Sequence, residues 1–182
     1  MKKCVFFDRD GVVNERPDPA RYVMGVDKFK ILPEFLEVLK IVRDAGYTAV
    51  VITNQRCLAL GVVSLDVMED IHAKLDAVVC ENVGDDVLLD VKVCPHDNDD
   101  GCGCRKPKPG MILEAAEEHD IDLSQSWMIG DNDKDVEAGK AAGCRTIRVT
   151  YGKEPAIEAD LTVESMQELK QAMPGILSKV IG

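Results

Sequence analysis

Hydrophobic residues follow two alternating patterns along the chain. Continuous apolar runs, several of them rich in β-branched residues, predict buried strands at 5–7, 47–52, 87–93, 127–129, 146–149 and, more briefly, 160–163. Apolar positions at helical spacing predict helices at 33–45, 64–80, 109–119, 134–142 and 165–172. Strands that alternate with helices predict an α/β fold: a doubly wound parallel sheet with helices on both faces.

The ends of these helices carry recognisable signals. Pro33 suits the first turn of the first helix, and Ser64 suits the N-cap of the second. Gly46 and Gly143 suit helix ends, and Pro174 is expected to break the last helix. The expected buried stripe of the second helix is Leu65, Met68, Ile71, Leu75 and Val79.

Polar side chains follow three of the predicted strands. Asp8 and Asp10 come after the first strand, Thr53 after the second and Asp131 after the fourth. The carboxyl ends of parallel strands meet at one edge of the sheet, which is where α/β proteins bind ligands. Two carboxylates so close together need a counter-charge, and a hard divalent cation such as Mg²⁺ would supply it. The alternative for Asp8 and Asp10 alone is a polar junction between strand and turn.

The composition narrows the classes of partner. The 182 residues carry a net charge of −11 and 46% hydrophobic residues, which is typical of a globular domain with a full core. Such an acidic chain is expected to bind neither nucleic acid nor an acidic membrane. Asp8, Arg9 and Asp10 interrupt the N-terminal apolar run, so we expect no targeting segment.

Three of the seven cysteines lie close to a histidine. Cys94, His96, Cys102 and Cys104 fall within eleven residues, separated by glycines and small polar residues. An odd, clustered set of cysteines favours a reducing cytoplasm over a disulfide framework. Four such ligands suit a closed, tetrahedral, structural Zn²⁺ site. Redox-active thiols or chance clustering are the alternatives.

The residues expected at the sheet edge also match one kind of chemistry. Phosphoryl transfer needs a carboxylate nucleophile, a second carboxylate that moves protons, and positive and neutral donors around the phosphoryl oxygens. Asp8, Asp10, Thr53 and Lys106 could supply these groups. Because Cys104 nearly adjoins Lys106, we hypothesise that zinc fixes the position of this lysine.

Four motifs together resemble the haloacid dehalogenase (HAD) superfamily of phosphatases. They are Asp8-Arg9-Asp10-Gly11, Thr53-Asn54-Gln55, Lys106-Pro107, and Gly130-Asp131 with Asp135, and they occur in the order of the family. The resemblance implies that Asp8 is the nucleophile, Asp10 the general acid and base, and Thr53 and Lys106 the groups that bind the phosphoryl oxygens.

The same resemblance implies a catalytic Mg²⁺. Its ligands would be Asp8, the backbone carbonyl of Asp10, and Asp131, with Asp135 in support. The structural alternatives are a capping Thr53, a solvated Lys106, and Asp131 as the N-cap of a helix.

The cysteine and histidine loop narrows the resemblance to a subgroup with a minimal cap. This subgroup contains heptose 1,7-bisphosphate phosphatases and histidinol-phosphatase domains. The five-residue gap between His96 and Cys102 is similar to the histidinol branch, whereas the run 104–111 is similar to the heptose branch. We expect hydrolysis of a small phosphorylated sugar, namely D-glycero-D-manno-heptose 1,7-bisphosphate, with histidinol phosphate or another small metabolite as the alternative.

Some residues expected near the substrate match the heptose branch, and others depart from it. Those expected to bind substrate are Asn54, Gln55, Arg105 and Asn132. Cys57 replaces a glycine of the heptose branch, and it could face the substrate or simply fill space in the core. Asn132 replaces a basic residue of that branch, and segment 14–22 is a candidate substrate loop.

The sequence argues against two other classes of function. A polynucleotide end phosphatase would need a basic stripe that this acidic chain lacks. An inactive zinc-stabilised binding module is expected to lose a catalytic carboxylate, yet all of them are present. We therefore expect a cytoplasmic, monomeric enzyme formed by one domain over residues 1–182, with a zinc loop at 94–104.

Overall fold

The computed structural model describes residues 1–17 and 22–178. Its six strands form one parallel sheet in the order β3-β2-β1-β4-β5-β6. The strands are β1 (Cys4–Phe7), β2 (Thr48–Asn54), β3 (Leu88–Cys94), β4 (Trp127–Gly130), β5 (Arg145–Val149) and β6 (Leu161–Val163). The predicted doubly wound α/β fold is confirmed.

Helices connect the strands and cover both faces of the sheet. They are α1 (Pro33–Asp44), α2 (Arg56–Ala59), α3 (Leu65–Asn82), α4 (Gly110–His119), α5 (Asp133–Ala142) and α6 (Met166–Ser178). Short 3₁₀ turns lie at Val26–Lys28 and Leu123–Gln125. None of the helices in residues 1–17 and 22–178 is long and apolar enough to cross a membrane.

The alternation of side chains along the strands builds two cores. Val5 and Phe7 of β1 face a core shared with α1, α3 and α6. Cys4 and Phe6 face the opposite core, which α4 and α5 complete. Because both faces are buried, β1 is apolar throughout, as is typical of a central parallel strand.

This topology brings the predicted polar residues together. The order of the strands reverses at β1, which pairs with β2 on one side and β4 on the other. Phe7 lies level with Val51 of β2 and Ile129 of β4, so the residues that follow these three leave the sheet at the same edge. Ligands of doubly wound folds bind at this switch point.

Two local predictions were wrong. Helix α6 continues through Pro174, because Met173 and Leu177 on either side of it are buried in the core and outweigh the missing backbone donor. Leu65 is 64% exposed, since it opens the first turn of α3 outside the buried stripe. The sequence analysis did not predict the four residues of α2, because such a short helix has too few turns to show a period.

Candidate active site

An open cavity of about 370 Å³ lies at the carboxyl edge of the sheet. Its lining includes eight of the predicted site residues, namely Asp8, Asp10, Thr53, Asn54, Arg105, Lys106, Asp131 and Asn132. Asp135 completes the expected carboxylate set, and Arg16, Pro17 and Lys134 add to the lining. A larger cavity, of about 550 Å³, lies between α3 and the edge strand β3 and contains none of these residues.

A buried lysine sits between a partly buried carboxylate and a buried one at the floor of the cavity. The Nζ atom of Lys106 lies 2.6 Å from Oδ1 of Asp8 and 2.7 Å from Oδ1 of Asp135, and it also donates to the carbonyl of Ile52. The lysine is therefore held by three acceptors. Only 3% of it is exposed, which excludes the alternative that Lys106 is a solvated surface residue.

Burial and mutual repulsion govern the charges of this group. Burial and the neighbouring Asp135 raise the pKa of Asp8 to about 7, against the opposing effect of Lys106. Burial opposes the charge of Lys106, but Asp135 and Asp8 outweigh it and raise the pKa of the lysine. Without a further cation, the negative charge of the carboxylates at this site therefore exceeds the single positive charge of Lys106.

Asp131 faces Asp8 across the same floor. Burial and the nearby Asp8 raise the pKa of Asp131 to about 6, although the half-exposed guanidinium of Arg16 pairs with it. Gly11 has a φ of 97°, and a Cβ at this position would collide with the Asp131 carboxylate. The turn after β1 therefore needs glycine both for its conformation and for the approach of Asp131.

Asp135 links the start of α5 to the charge network. Asn132 is the N-cap, and its side chain accepts from the amide of Lys134. Oδ2 of Asp135 accepts from the amide of Asn132 at 3.0 Å, which completes a capping box while Oδ1 binds Lys106. Because Asn132 caps α5, Asp131 is not the N-cap, and its carboxylate is directed to the cavity floor.

The carboxylate of Asp10 is held separately from the other three. Oδ1 accepts from Asn14 at 3.0 Å, and Oδ2 accepts from Gln55 at 3.0 Å. Gln55 also donates to the hydroxyl oxygen of Thr53 at 2.7 Å, which leaves the hydroxyl proton of Thr53 free to donate. Gln55 itself is buried beneath the cavity, in contrast to the expected substrate contact; the structure places it between Asp10 and Thr53.

Cys57 occupies the core rather than the cavity. Its side chain is fully buried beside Val63 and Met68, and its thiol lies 3.5 Å from the side-chain amide oxygen, Oε1, of Gln55. Of the two alternatives for this departure from the heptose branch, the structure supports the space-filling one.

The predicted zinc ligands are close together in space. One ligand atom each from Cys94, His96, Cys102 and Cys104 lies within 4.8 Å of the others. Sγ of Cys94 is 3.8 Å from Sγ of Cys102 and 3.3 Å from Sγ of Cys104, and Nδ1 of His96 is 3.6 Å from Sγ of Cys94. Ligands about 2.0–2.3 Å from a tetrahedral Zn²⁺ lie roughly 3.5–3.8 Å apart, so the four residues fit this ion.

Hydrogen bonds connect this cluster to the cavity. Arg105 donates to the carbonyl of His96 at 3.1 Å and to the side chain of Asn98 at 3.0 Å. The carbonyl of Cys94 accepts from the amide of Gln55 at 2.8 Å. Asn54 exchanges two 3.0 Å hydrogen bonds with the backbone of Lys106. The four-ligand loop is thus attached to Arg105, which precedes Lys106, and to Gln55, whose neighbour Asn54 holds the backbone of Lys106.

The carboxylates at the cavity floor fit a hard divalent cation. Oxygen atoms of Asp8, Asp131 and Asp135 lie within 4.8 Å of one another. Both oxygens of Asp135 already have partners, whereas Asp8 and Asp131 each keep an oxygen available. Carboxylate oxygens on one side of an open cavity are the ligand set that Mg²⁺ prefers.

Comparison with known proteins identifies the family. The chain is 40% identical over 152 residues to the D-glycero-beta-D-manno-heptose-1,7-bisphosphate 7-phosphatase of Pseudomonas aeruginosa, covering 84% of this chain and 83% of that protein. It is 35% identical to the enzyme of the same name from Pasteurella multocida, covering 98% and 100%. The chain belongs to this family of HAD phosphatases.

Two further comparisons agree that this chain belongs to the HAD phosphatases. A family model described as HAD-hydrolase-like matches residues 103–169. The crystal structure of D,D-heptose 1.7-bisphosphate phosphatase from B. bronchiseptica, complexed with magnesium and phosphate, superposes with a TM-score of 0.83 at 31% identity. That alignment covers 96% of this chain and 99% of the other. The predicted family, fold and phosphatase activity are confirmed.

Some cavity residues of this HAD phosphatase were missed by the sequence reasoning. Arg16 and Pro17 lie in segment 14–22, which was expected to be a substrate loop but gave no reason to choose a residue; residues 18–21 lie outside the described part of the chain. Lys134 could have been found, since it is a basic residue three positions after Asp131 in the first turn of a helix that starts at the cavity.

Proposed function

We propose that this HAD phosphatase removes the 7-phosphate of D-glycero-D-manno-heptose 1,7-bisphosphate through an aspartyl-phosphate on Asp8. The observation that carries the chemistry is the buried group of Asp8, Lys106 and Asp135 at the floor of an open cavity. The names of the Pseudomonas aeruginosa and Pasteurella multocida relatives support the substrate.

The first step transfers the phosphoryl group to the protein. A carboxylate oxygen of Asp8 attacks phosphorus, the ester bond breaks, and the sugar oxygen takes a proton from the carboxyl group of Asp10. Lys106 and the free hydroxyl proton of Thr53 stabilise the charge on the phosphoryl oxygens. The position of Asp10 above the buried group, where it lines the cavity, suits a donor to the leaving group.

The second step returns Asp8 to its starting state. Asp10, now a carboxylate, takes a proton from a water molecule, and the resulting hydroxide attacks phosphorus while the bond from Asp8 to phosphorus breaks. Inorganic phosphate leaves, and Asp10 again holds a proton. Mg²⁺ held by Asp8, Asp131 and the backbone carbonyl of Asp10 would supply positive charge to the phosphoryl oxygens, with Asp135 in support.

Two cations at the rim fit the second phosphate of the substrate. Arg105 and Lys134 line both the active-site cavity and an adjoining cavity of about 240 Å³. The structure gives Arg105 two neutral oxygen partners, so its positive charge is not neutralised by them. We propose that these two side chains bind the phosphate that is not cleaved, with Asn54 and Asn132 beside the sugar.

We propose a structural Zn²⁺ held by Cys94, His96, Cys102 and Cys104. The spacing of their sulfur and nitrogen atoms supports this assignment, and the hydrogen bonds from the loop to Arg105 and Gln55 indicate what the ion would stabilise. An ion that orders a loop with little apolar surface stabilises the fold directly.

We also propose that the protein is a cytoplasmic monomer with a single domain. Within the described residues all seven cysteines are unpaired thiols, which supports a reducing cytoplasm. The edge strand β3 carries the charged residues Asp90 and Lys92, which discourages pairing with a second sheet and supports a monomer. One continuous sheet supports a single domain over residues 1–182.

Phosphate release from a substrate panel tests the proposal. We expect the highest kcat/KM with the heptose 1,7-bisphosphate, lower values with heptose monophosphates, and little release from histidinol phosphate. The variant Asp8→Asn should lose activity toward every substrate, because an amide cannot attack phosphorus as a carboxylate does. Undiminished phosphate release by Asp8→Asn would refute the covalent mechanism, and preference for histidinol phosphate would refute the substrate.

A further inference from the structure

Arg9 stands between the two proposed catalytic aspartates in sequence, yet its side chain avoids the cavity. It is completely buried, and it is among the largest side chains of the described residues with no exposed surface. A buried arginine needs partners for its charge and its five donors, or it destabilises the fold strongly. Its partners therefore indicate its role.

On its far side, the guanidinium is held by α3 and by an aromatic ring. Nη1 lies 3.1 Å from Sδ of Met68 and 3.2 Å from Nε2 of His72, and its central carbon lies 5.7 Å from the ring centroid of Phe29. Burial and the adjacent Arg9 lower the pKa of His72 to about 4, so at neutral pH the imidazole is uncharged and can accept from Arg9. These three contacts leave the guanidinium little freedom to move.

On its near side, the guanidinium faces the carboxylate of Asp10. Nη2 lies 3.2 Å from Oδ2 and 3.3 Å from Oδ1, and Nε lies 3.4 Å from Oδ1. Asn14 and Gln55 contact the same two oxygens, each at 3.0 Å. Asp10 is thus held from three directions, although 27% of its side chain remains exposed to the cavity.

We propose that Arg9 is a positioning residue: it is held by α3 and in turn holds the carboxyl group of Asp10 in place. The inference rests on the proposed function, because it gives Asp10 the proton transfers of both steps. Arg9 touches neither the substrate nor the reacting phosphorus. Its contribution is to keep one carboxyl group aligned first with the leaving oxygen and then with the attacking water.

This role predicts a dependence on the leaving group. The sugar alkoxide is strongly basic and needs a proton as it leaves, whereas p-nitrophenolate is stable enough to leave without one. A misplaced Asp10 should therefore slow the first step with a sugar phosphate far more than with p-nitrophenyl phosphate. It should slow breakdown of the aspartyl-phosphate with either substrate, because the same water attacks the same intermediate.

The experiment compares Arg9→Met with the wild type on heptose 1,7-bisphosphate and p-nitrophenyl phosphate. We expect kcat for the sugar to fall about 100-fold with KM changed less than threefold, since misalignment by about 1 Å has an effect of this size. With p-nitrophenyl phosphate, rapid mixing should show a burst of one equivalent of nitrophenol, followed by slow turnover. Arg9→Lys, which keeps the charge, should recover part of the lost kcat.

The matched control is Arg148→Met. Arg148 is also buried and pairs with a carboxylate, Asp133, at 3.2 Å, but neither residue lines the cavity. This variant should lose stability as Arg9→Met does, with the same relative activity on both substrates and no burst. If Arg9→Met lowers both activities equally and gives no burst, Arg9 is merely structural and the inference is wrong.

A second variant decides the matter if Arg9→Met does not fold. His72→Phe removes one far-side partner of Arg9 and leaves Asp10 and the cavity unchanged. It should lower kcat for the sugar roughly threefold to tenfold while sparing the nitrophenol burst rate, as expected for the loss of one hydrogen bond. If the variant lost the same fraction of wild-type activity on both substrates, the inference would be overturned. Failure of the proposed function is recognised separately, by activity that survives in Asp8→Asn.

Discussion

Replacing Lys106 with methionine would leave Asp8 and Asp135 buried together without their shared cation. At an effective dielectric constant of about 20, charges separated by the observed 2.6 Å and 2.7 Å attract with about 6 kcal/mol each. The two carboxylates, whose oxygens lie within 4.8 Å, would then repel each other by about 3 kcal/mol or more. Desolvation of the lysine offsets much of this attraction, so we expect a net loss of about 3–5 kcal/mol in unfolding free energy.

The same substitution should reduce catalysis. Lys106 is the side-chain cation closest to Asp8, and removing one preorganised donor of this kind lowers kcat about 10²–10³-fold. Urea unfolding and phosphate release, measured in one magnesium-containing buffer, give the two quantities.

Lys92 provides the matched control. It makes three ion pairs, with Asp90, Glu114 and Glu118, but these carboxylates are 30–55% exposed on the outer face of the edge strand. Pairs in such a solvated setting contribute about 0–1 kcal/mol each. We expect Lys92→Met to change stability much less than Lys106→Met and to leave kcat/KM unchanged. Equal stability losses in the two variants, or activity of Lys106→Met within tenfold of the wild type, would refute the reasoning from burial.

Three further predictions concern the loop, a buried histidine and a turn. Cys104→Ser should lower the zinc content of the purified protein and reduce kcat/KM, and a full complement of zinc in that variant would contradict the ligand assignment. The folded-state pKa of His72 is about 4, below its unfolded value, so the unfolded chain binds the extra proton as the pH falls from about 6.5 to 4. Relative to His72→Gln, the wild type should lose on the order of 3 kcal/mol of unfolding free energy across that window, because the substitution removes this titration and leaves those of the carboxylates in place; urea unfolding of both proteins at each pH measures the difference. Gly11→Ala should lose both stability and activity, whereas Gly143→Ala, which has a φ of 87° but open space around it, should lose stability alone by about 1–2 kcal/mol.

The sequence predicted the placement of those site residues whose position is determined by the end of a single strand. Asp8, Thr53 and Asp131 each end a buried apolar strand, and parallel strands must bring such residues to one edge. The clustering of Cys94, His96, Cys102 and Cys104 was equally predictable, since the four residues are close in sequence as well as in space.

Contacts between distant elements were not predictable in the same way. Nothing in the local pattern shows that Arg9 turns inward to reach His72, 63 residues later, because that contact depends on how α3 packs on the sheet. Gln55 belongs to a family motif, but only the structure shows that it faces Asp10 and Thr53 from below. Pro174 predicted a helix end, and the burial of its neighbours prevailed over this local preference.

The capping box of α5 has a consequence for anyone who redesigns this enzyme. Because one carboxylate, that of Asp135, both starts the helix and binds Lys106, the first turn of α5 cannot be exchanged as if it were ordinary scaffold. Asn132, Asp135 and Lys106 therefore have to be kept together, whereas the side chains of Arg105 and Lys134, at the rim of the cavity, can be varied without breaking these contacts. A library that changes substrate preference should therefore vary the rim and keep the helix start fixed.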